Sequence, residues 1–143
     1  MKTVRLLLLT LLLAATSWPV LAADWVLVAH PKSGIERLSQ DDVANIYLGR
    51  YRRLASGITA EPVDLPLQAA LRARFYRDLV DKSLPEISSY WARLMFAGKT
   101  QPPRMMASVE EALQFVARNP GGVAYVERAK ADARVKIVFE APD

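Results

Sequence analysis

The chain has 143 residues, with 19 Lys and Arg against 15 Asp and Glu, one His and no Cys. Its length points to one domain, and a hydrophobic fraction of 52% is too high for a disordered chain. The missing cysteine excludes a disulfide scaffold, a thiolate zinc site, an iron–sulfur cluster and a cysteine nucleophile, and one His argues against a His-based metal site or triad.

Residues 1–22 have the pattern of a cleaved signal peptide. Lys2 and Arg5 form the positive start, 6–15 is a largely apolar run, and Val20-Leu21-Ala22 supplies small residues at cleavage spacing. Pro19 breaks the run short of the roughly 20 residues that a spanning helix needs. Cleavage after Ala22 leaves 23–143 as one domain, exported and expected in the periplasm. Loss of Lys2 and Arg5 lowers the net charge from +4 to +2. So small a surplus does not point to nucleic acid.

The first element is the Val-rich run from Asp24 to His30, a buried strand stopped by Pro31. After the turn Pro31-Lys32-Ser33-Gly34, Ser39 caps a helix with Asp41 and Asp42 in its first turn, where the dipole favours acids. Val43, Ile46 and Tyr47 share its inner face, and Gly49 ends it. Arg50-Tyr51-Arg52-Arg53 is a basic loop. A second strand is predicted over 59–65. Leu67, Leu71, Phe75 and Leu79 recur every four residues, an amphipathic helix whose outer face carries Arg72, Arg74, Arg77 and Asp78.

Ser83 and Glu86 form a capping box that opens a helix with Ile87, Tyr90, Trp91, Leu94 and Met95 facing inward. Trp91 and Phe96 are assigned to the core. Gln101-Pro102-Pro103 is a stiff extended loop. Ser108 and Glu111 give another capping box, before a helix with Val109, Ala112, Leu113 and Val116 buried. Two strands follow, over 123–126 and 135–139. Strands interleaved with helices define an α/β fold with a mostly parallel sheet, whose ligands sit beyond the carboxyl ends of the strands.

No catalytic set stands out. Asp41–Asp42 and Glu110–Glu111 are explained by their helix starts, and nothing selects two carboxylates flanking one bond. His30 reads as a strand-end surface residue, and no P-loop is present. The Lys32-Ser33-Gly34 turn follows a buried strand, so its N–H groups, hydroxyl and charge either hold an anion or serve an ordinary turn. Arg50, Arg52 and Arg53 either line a solvated loop or meet an acidic partner or lipid headgroups. No cofactor and no metal are expected.

Two motifs carry a resemblance. LSQDDVANIYLGR (38–50) resembles the L-S-x-D-x-L-x-x-I-F/Y-L-G-K helix of phosphate ABC-transporter substrate-binding proteins, and GGVAYVE (121–127) resembles their P-G-A-I-G-Y-V-E strand. The resemblance implies a type II periplasmic-binding-protein fold, here about one lobe of it. It also implies a non-enzymatic protein that binds a small polar solute or oxyanion, or is an accessory working with a membrane transporter or sensor. One feature departs. The family's phosphate-holding R-x-D-G-S-G-T loop falls on 64–71, where counting back from Phe75 puts Asp64 at the Arg position and Ala69 and Leu71 at the hydroxyl positions. The candidate ligand-binding residues are Ser33, Gly34, Asp64 and Gln68. The alternative is a protein-interaction module that has lost its ligand.

Overall fold

The computed structural model describes residues 25–142, so the signal-peptide reading of 1–22 lies outside them. In chain order the elements are β1 (Trp25–Ala29), α1 (Gln40–Tyr47), β2 (Glu61–Asp64), α2 (Ala70–Val80), α3 (Leu84–Phe96), β3 (Arg104–Met105), α4 (Val109–Arg118), β4 (Gly122–Glu127), a 3₁₀ turn (Arg128–Lys130) and β5 (Lys136–Glu140). They build a five-stranded sheet of order β3-β2-β4-β1-β5. β2 pairs in parallel with β3 and β4, while β1 runs antiparallel to both β4 and β5. Four strands therefore point one way and β1 alone points back.

Local chemistry accounts for the helix starts. Ser39 and Asp42 cap α1 reciprocally, and Ser83 and Glu86 do the same for α3, satisfying amide groups that a helix start leaves unpaired. At α4 the box is half formed. Ser108 accepts from the Glu111 N–H, but the Glu111 carboxylate takes the N–H of Ala107. Gly49, at φ +69°, follows the Leu48 cap of α1, a backbone region that costs glycine least.

The core is aromatic on one face of the sheet. Phe75 of α2 stacks on Tyr125 of β4 at 3.8 Å between centroids. It also meets Tyr47, Trp25 and Tyr76 edge-on at 4.7, 4.9 and 5.0 Å, geometries that aromatic quadrupoles favour. On the opposite face α4 closes over β4, where Gly122 lies against the Val116 backbone. All five residues of β1 are buried, as a strand covered on both faces must be.

Several side chains depart from the periodicity reading. Leu67 precedes α2 and is 60% exposed, while Arg72, assigned to the outer face, is buried at 6%. Phe96, assigned to the core, is 97% exposed, and Met95 beside it is 51% exposed. They occupy the last turn of α3, beyond the part that packs on the domain. The segment after Pro103 forms the short edge strand β3, where the sequence pattern gives only a loop. β5 begins at Lys136, and a bulge opposite Leu27 and Val28 interrupts its alternation.

Candidate functional site

Asp64 ends β2, and its carboxylate is the best-connected polar group of the interior. It is 4% exposed. Tyr76 of α2 donates its hydroxyl to Oδ2 at 2.7 Å, the Tyr125 hydroxyl donates to Oδ1, and the Leu65 N–H donates to Oδ1 at 2.8 Å. The Arg72 Nε stands 3.2 Å from Oδ1. Its N–H is not aimed at the oxygen, so the contact is an ion pair without a hydrogen bond. The guanidinium also lies 5.3 Å from the centre of the Tyr76 ring.

The electrostatics follow from burial. Loss of solvent, then the Asp64 charge, then the hydrogen bond to Asp64 push the Tyr76 and Tyr125 phenols well above their ordinary range. Tyr47, which donates to the Val63 carbonyl at 2.9 Å, is raised chiefly by burial and next by the same charge. All three rings are held as neutral hydrogen-bond donors. The cluster is a closed polar knot in which Asp64 accepts three hydrogen bonds, all from its own chain.

The four candidate ligand residues separate into two pairs. Asp64 and Gln68 lie at the carboxyl end of β2, Gln68 exposed in the loop before α2. Ser33 and Gly34 follow β1. Because β1 runs backwards, its end, Ala29, pairs with Val123, where β4 begins. That pair therefore sits at the opposite end of the strands, and the fold does not bring the four together. Ser33 is fully buried; its hydroxyl accepts the Ile35 N–H at 3.2 Å and its own N–H donates to the His30 carbonyl at 3.0 Å. Gly34 adopts φ +75° against Ser56. His30 Nδ1 accepts the Lys32 N–H at 2.9 Å.

Sequence reasoning does not single out Arg72, Tyr76 and Tyr125 as site residues. The available signal is a carboxylate in a strand between Val63 and Leu65. A buried charge needs partners, and Arg72 and Tyr76, four residues apart, share one side of a helix. Among the described residues no cluster of three or more His, Asp or Glu could hold a metal ion, and no helix is long and apolar enough to cross a membrane.

No protein-family model and no curated protein matches the chain. Solved structures do. A protein of Clostridium perfringens, assigned as a phosphate ABC transporter substrate-binding protein and solved with bound phosphate, matches at TM-score 0.65 and 15% identity over 80% of this chain and 44% of its own. An ABC-type phosphate transport receptor from Vibrio cholerae matches at 0.63 and 14%, over 80% and 45%. PstS from Borrelia burgdorferi matches at 0.62 and 12%, over 81% and 47%. The chain thus has the α/β fold of phosphate-binding proteins and spans less than half the length of these three.

Proposed function

We propose that this chain is an exported, periplasmic solute-binding-like protein that binds a small polar solute or serves as an accessory of transport or sensing, rather than an enzyme, and that it does not capture inorganic phosphate at the β2–α2 loop. The likeness to phosphate-binding structures supports the binding-protein reading. The carrying observation for the second part is the Asp64 knot. In the resembling family this loop offers an arginine and hydroxyls to an oxyanion. Counting back from Phe75 puts Asp64 at the arginine position, and this buried carboxylate is hydrogen-bonded within its own chain. Each charged hydrogen bond that is missing costs roughly 1.5–3 kcal/mol, or one to two decades of affinity.

A polar solute would then contact Gln68 and neighbouring backbone at this end of the strands, or the Lys32-Ser33-Gly34 turn at the other end, as two separate places. The second reading, a ligand-free interaction module, is favoured by Leu67 and Met105, 60% and 48% exposed beside the end of β2. The test is a thermal-shift screen against phosphate, sulfate, other oxyanions and amino acids, followed by calorimetry. The expected dissociation constant for phosphate is no tighter than about 0.1 mM, a free energy near −5.5 kcal/mol. Micromolar phosphate binding would overturn the proposal. A reproducible shift with another solute supports the first reading, and a flat screen supports the second.

A further inference from the structure

We propose that the end of α3 and the loop after α1 form one docking surface for an anionic lipid bilayer. Two stretches of the chain, 43–60 and 87–109, contain no Asp or Glu. They hold six of the 19 cations, which leaves the rest of the chain with 13 cations against 15 carboxylates. The entire positive surplus therefore resides in these two stretches.

The fold joins them. Tyr90 donates its hydroxyl to the Leu48 carbonyl at 2.6 Å, and Arg52 Nη2 donates to the Gln101 carbonyl at 2.7 Å. Gly49 sits so close to Trp91 and Thr100 that a Cβ there would stand 2.8 Å from the indole Cη2 and 2.9 Å from the Thr100 Cγ2. Arg52 is committed to this junction. Arg50, Arg93 and Lys99 are exposed, and no ion pair engages them among the described residues.

Phe96, 97% exposed, projects beside Met95 at the α3 end of this surface. Arg93 lies three residues before it, on the same side of the helix. The junction places Arg50 and Lys99 next to the turn that follows α3. A protein partner would need a pocket fitted to so prominent a ring. A bilayer interface accepts the ring without one, while the neighbouring cations meet lipid phosphates. Each Lys or Arg near an anionic surface strengthens attachment about fivefold. Three cations with one or two apolar side chains give weak, reversible, salt-sensitive binding.

The test is co-sedimentation of the full chain with vesicles of phosphatidylglycerol and phosphatidylethanolamine, against vesicles of phosphatidylcholine alone. Residues 1–24 are common to every variant, and partition is measured at lipid concentrations that leave the wild-type chain only partly bound, so differences between variants report this surface. The double variant Arg50→Glu/Lys99→Glu is expected to lower partition onto the anionic vesicles at least about tenfold. Phe96→Ser is expected to lower it about threefold or more, and Lys130→Glu, beyond the surface, to leave it unchanged. Emission of Phe96→Trp, less that of the wild-type chain with its three Trp, is expected to shift to the blue on the anionic vesicles only. Partition that ignores both the charge reversals and Phe96→Ser overturns the proposal. Sensitivity to charge alone, with no response at position 96, also overturns it, because it leaves only general attraction of cations to an anionic surface and no seated ring.

Discussion

Arg72 Nε and Asp64 Oδ1 lie 3.2 Å apart, with both residues more than nine-tenths buried, and no other ion pair among the described residues is so enclosed. Two tyrosines and a backbone N–H also serve Asp64, whereas Arg72 Nε has no hydrogen-bond acceptor. The carboxylate is the hub and the guanidinium its dependent. Asp64→Ala is therefore expected to cost about 3–5 kcal/mol, because it strands a buried cation and two hydroxyls. Arg72→Met is expected to cost less, since Asp64 keeps three hydrogen bonds. The double variant should be more stable than Asp64→Ala alone. Urea unfolding measures all three, and equal losses for the two single variants would contradict this asymmetry.

Trp91 and Phe96 lie on the same helix with opposite expected consequences. Trp91 is 6% exposed, so Trp91→Ala is expected to cost about 3–5 kcal/mol, as large core truncations do. Its Nε1–H has no hydrogen-bond partner, so Trp91→Phe removes an unsatisfied donor and should cost clearly less. Phe96→Ala should stay within about 0.5 kcal/mol of the wild type, as exposed substitutions do. Thermal or urea midpoints of the three variants check this order.

Glycines separate backbone strain from steric conflict. Gly57 has φ +86°, and a Cβ added there would meet open space, so Gly57→Ala should cost only the left-handed penalty of about 1–2 kcal/mol. At Gly49 the same backbone region combines with contacts of 2.8 Å to Trp91 and 2.9 Å to Thr100. Gly49→Ala should exceed Gly57→Ala. At Gly121 a Cβ would enter the Thr59 carbonyl oxygen, a backbone atom that cannot swing away, so Gly121→Ala should be the most disruptive. Midpoint shifts in urea test the ranking.

The buried phenols give an alkaline signature. Tyr47, Tyr76 and Tyr125 have raised pKa values in the native state, so they stay protonated where an unfolded tyrosine ionises, at about pH 10. The raised value means that stability is intact below that pH and falls as pH rises above it. Phenolate absorbance from these three should appear together with loss of circular dichroism. Tyr76→Phe/Tyr125→Phe should remove part of that coincident signal. Ionisation of all three ahead of unfolding would contradict the burial argument.

Much of the local structure is legible in the sequence because it rests on short-range interactions. Ser39 and Ser83 mark helix starts through bonds that span three residues, and the Phe75–Leu79 stripe follows from helical geometry. The alternation of strands and helices is enough to define an α/β layer, and β1 reads as buried because a Val-rich run ended by Pro has few other places to go. Asp64 stands out as the odd residue of the β2–α2 region through a family resemblance, and it proves to be the centre of a polar cluster.

Tertiary structure decided the rest. Strand direction depends on which neighbour a strand meets, and the reversal of β1 sends Ser33 and Gly34 to the end of the strands opposite Asp64 and Gln68. A helical period defines faces but not their cover. Arg72, on a charged face, is buried by a carboxylate eight residues upstream, while Phe96, an apolar residue, reaches past the end of the packed surface. The absence of acids over 43–60 and 87–109 is visible in the chain, yet only the contacts of Gly49 with Trp91 and of Arg52 with Gln101 make one surface of them. Sequence determines what each short segment can form by itself; which charges end up buried, neighbouring or exposed is set by contacts between segments far apart in the chain, and those exist only once the sheet is assembled.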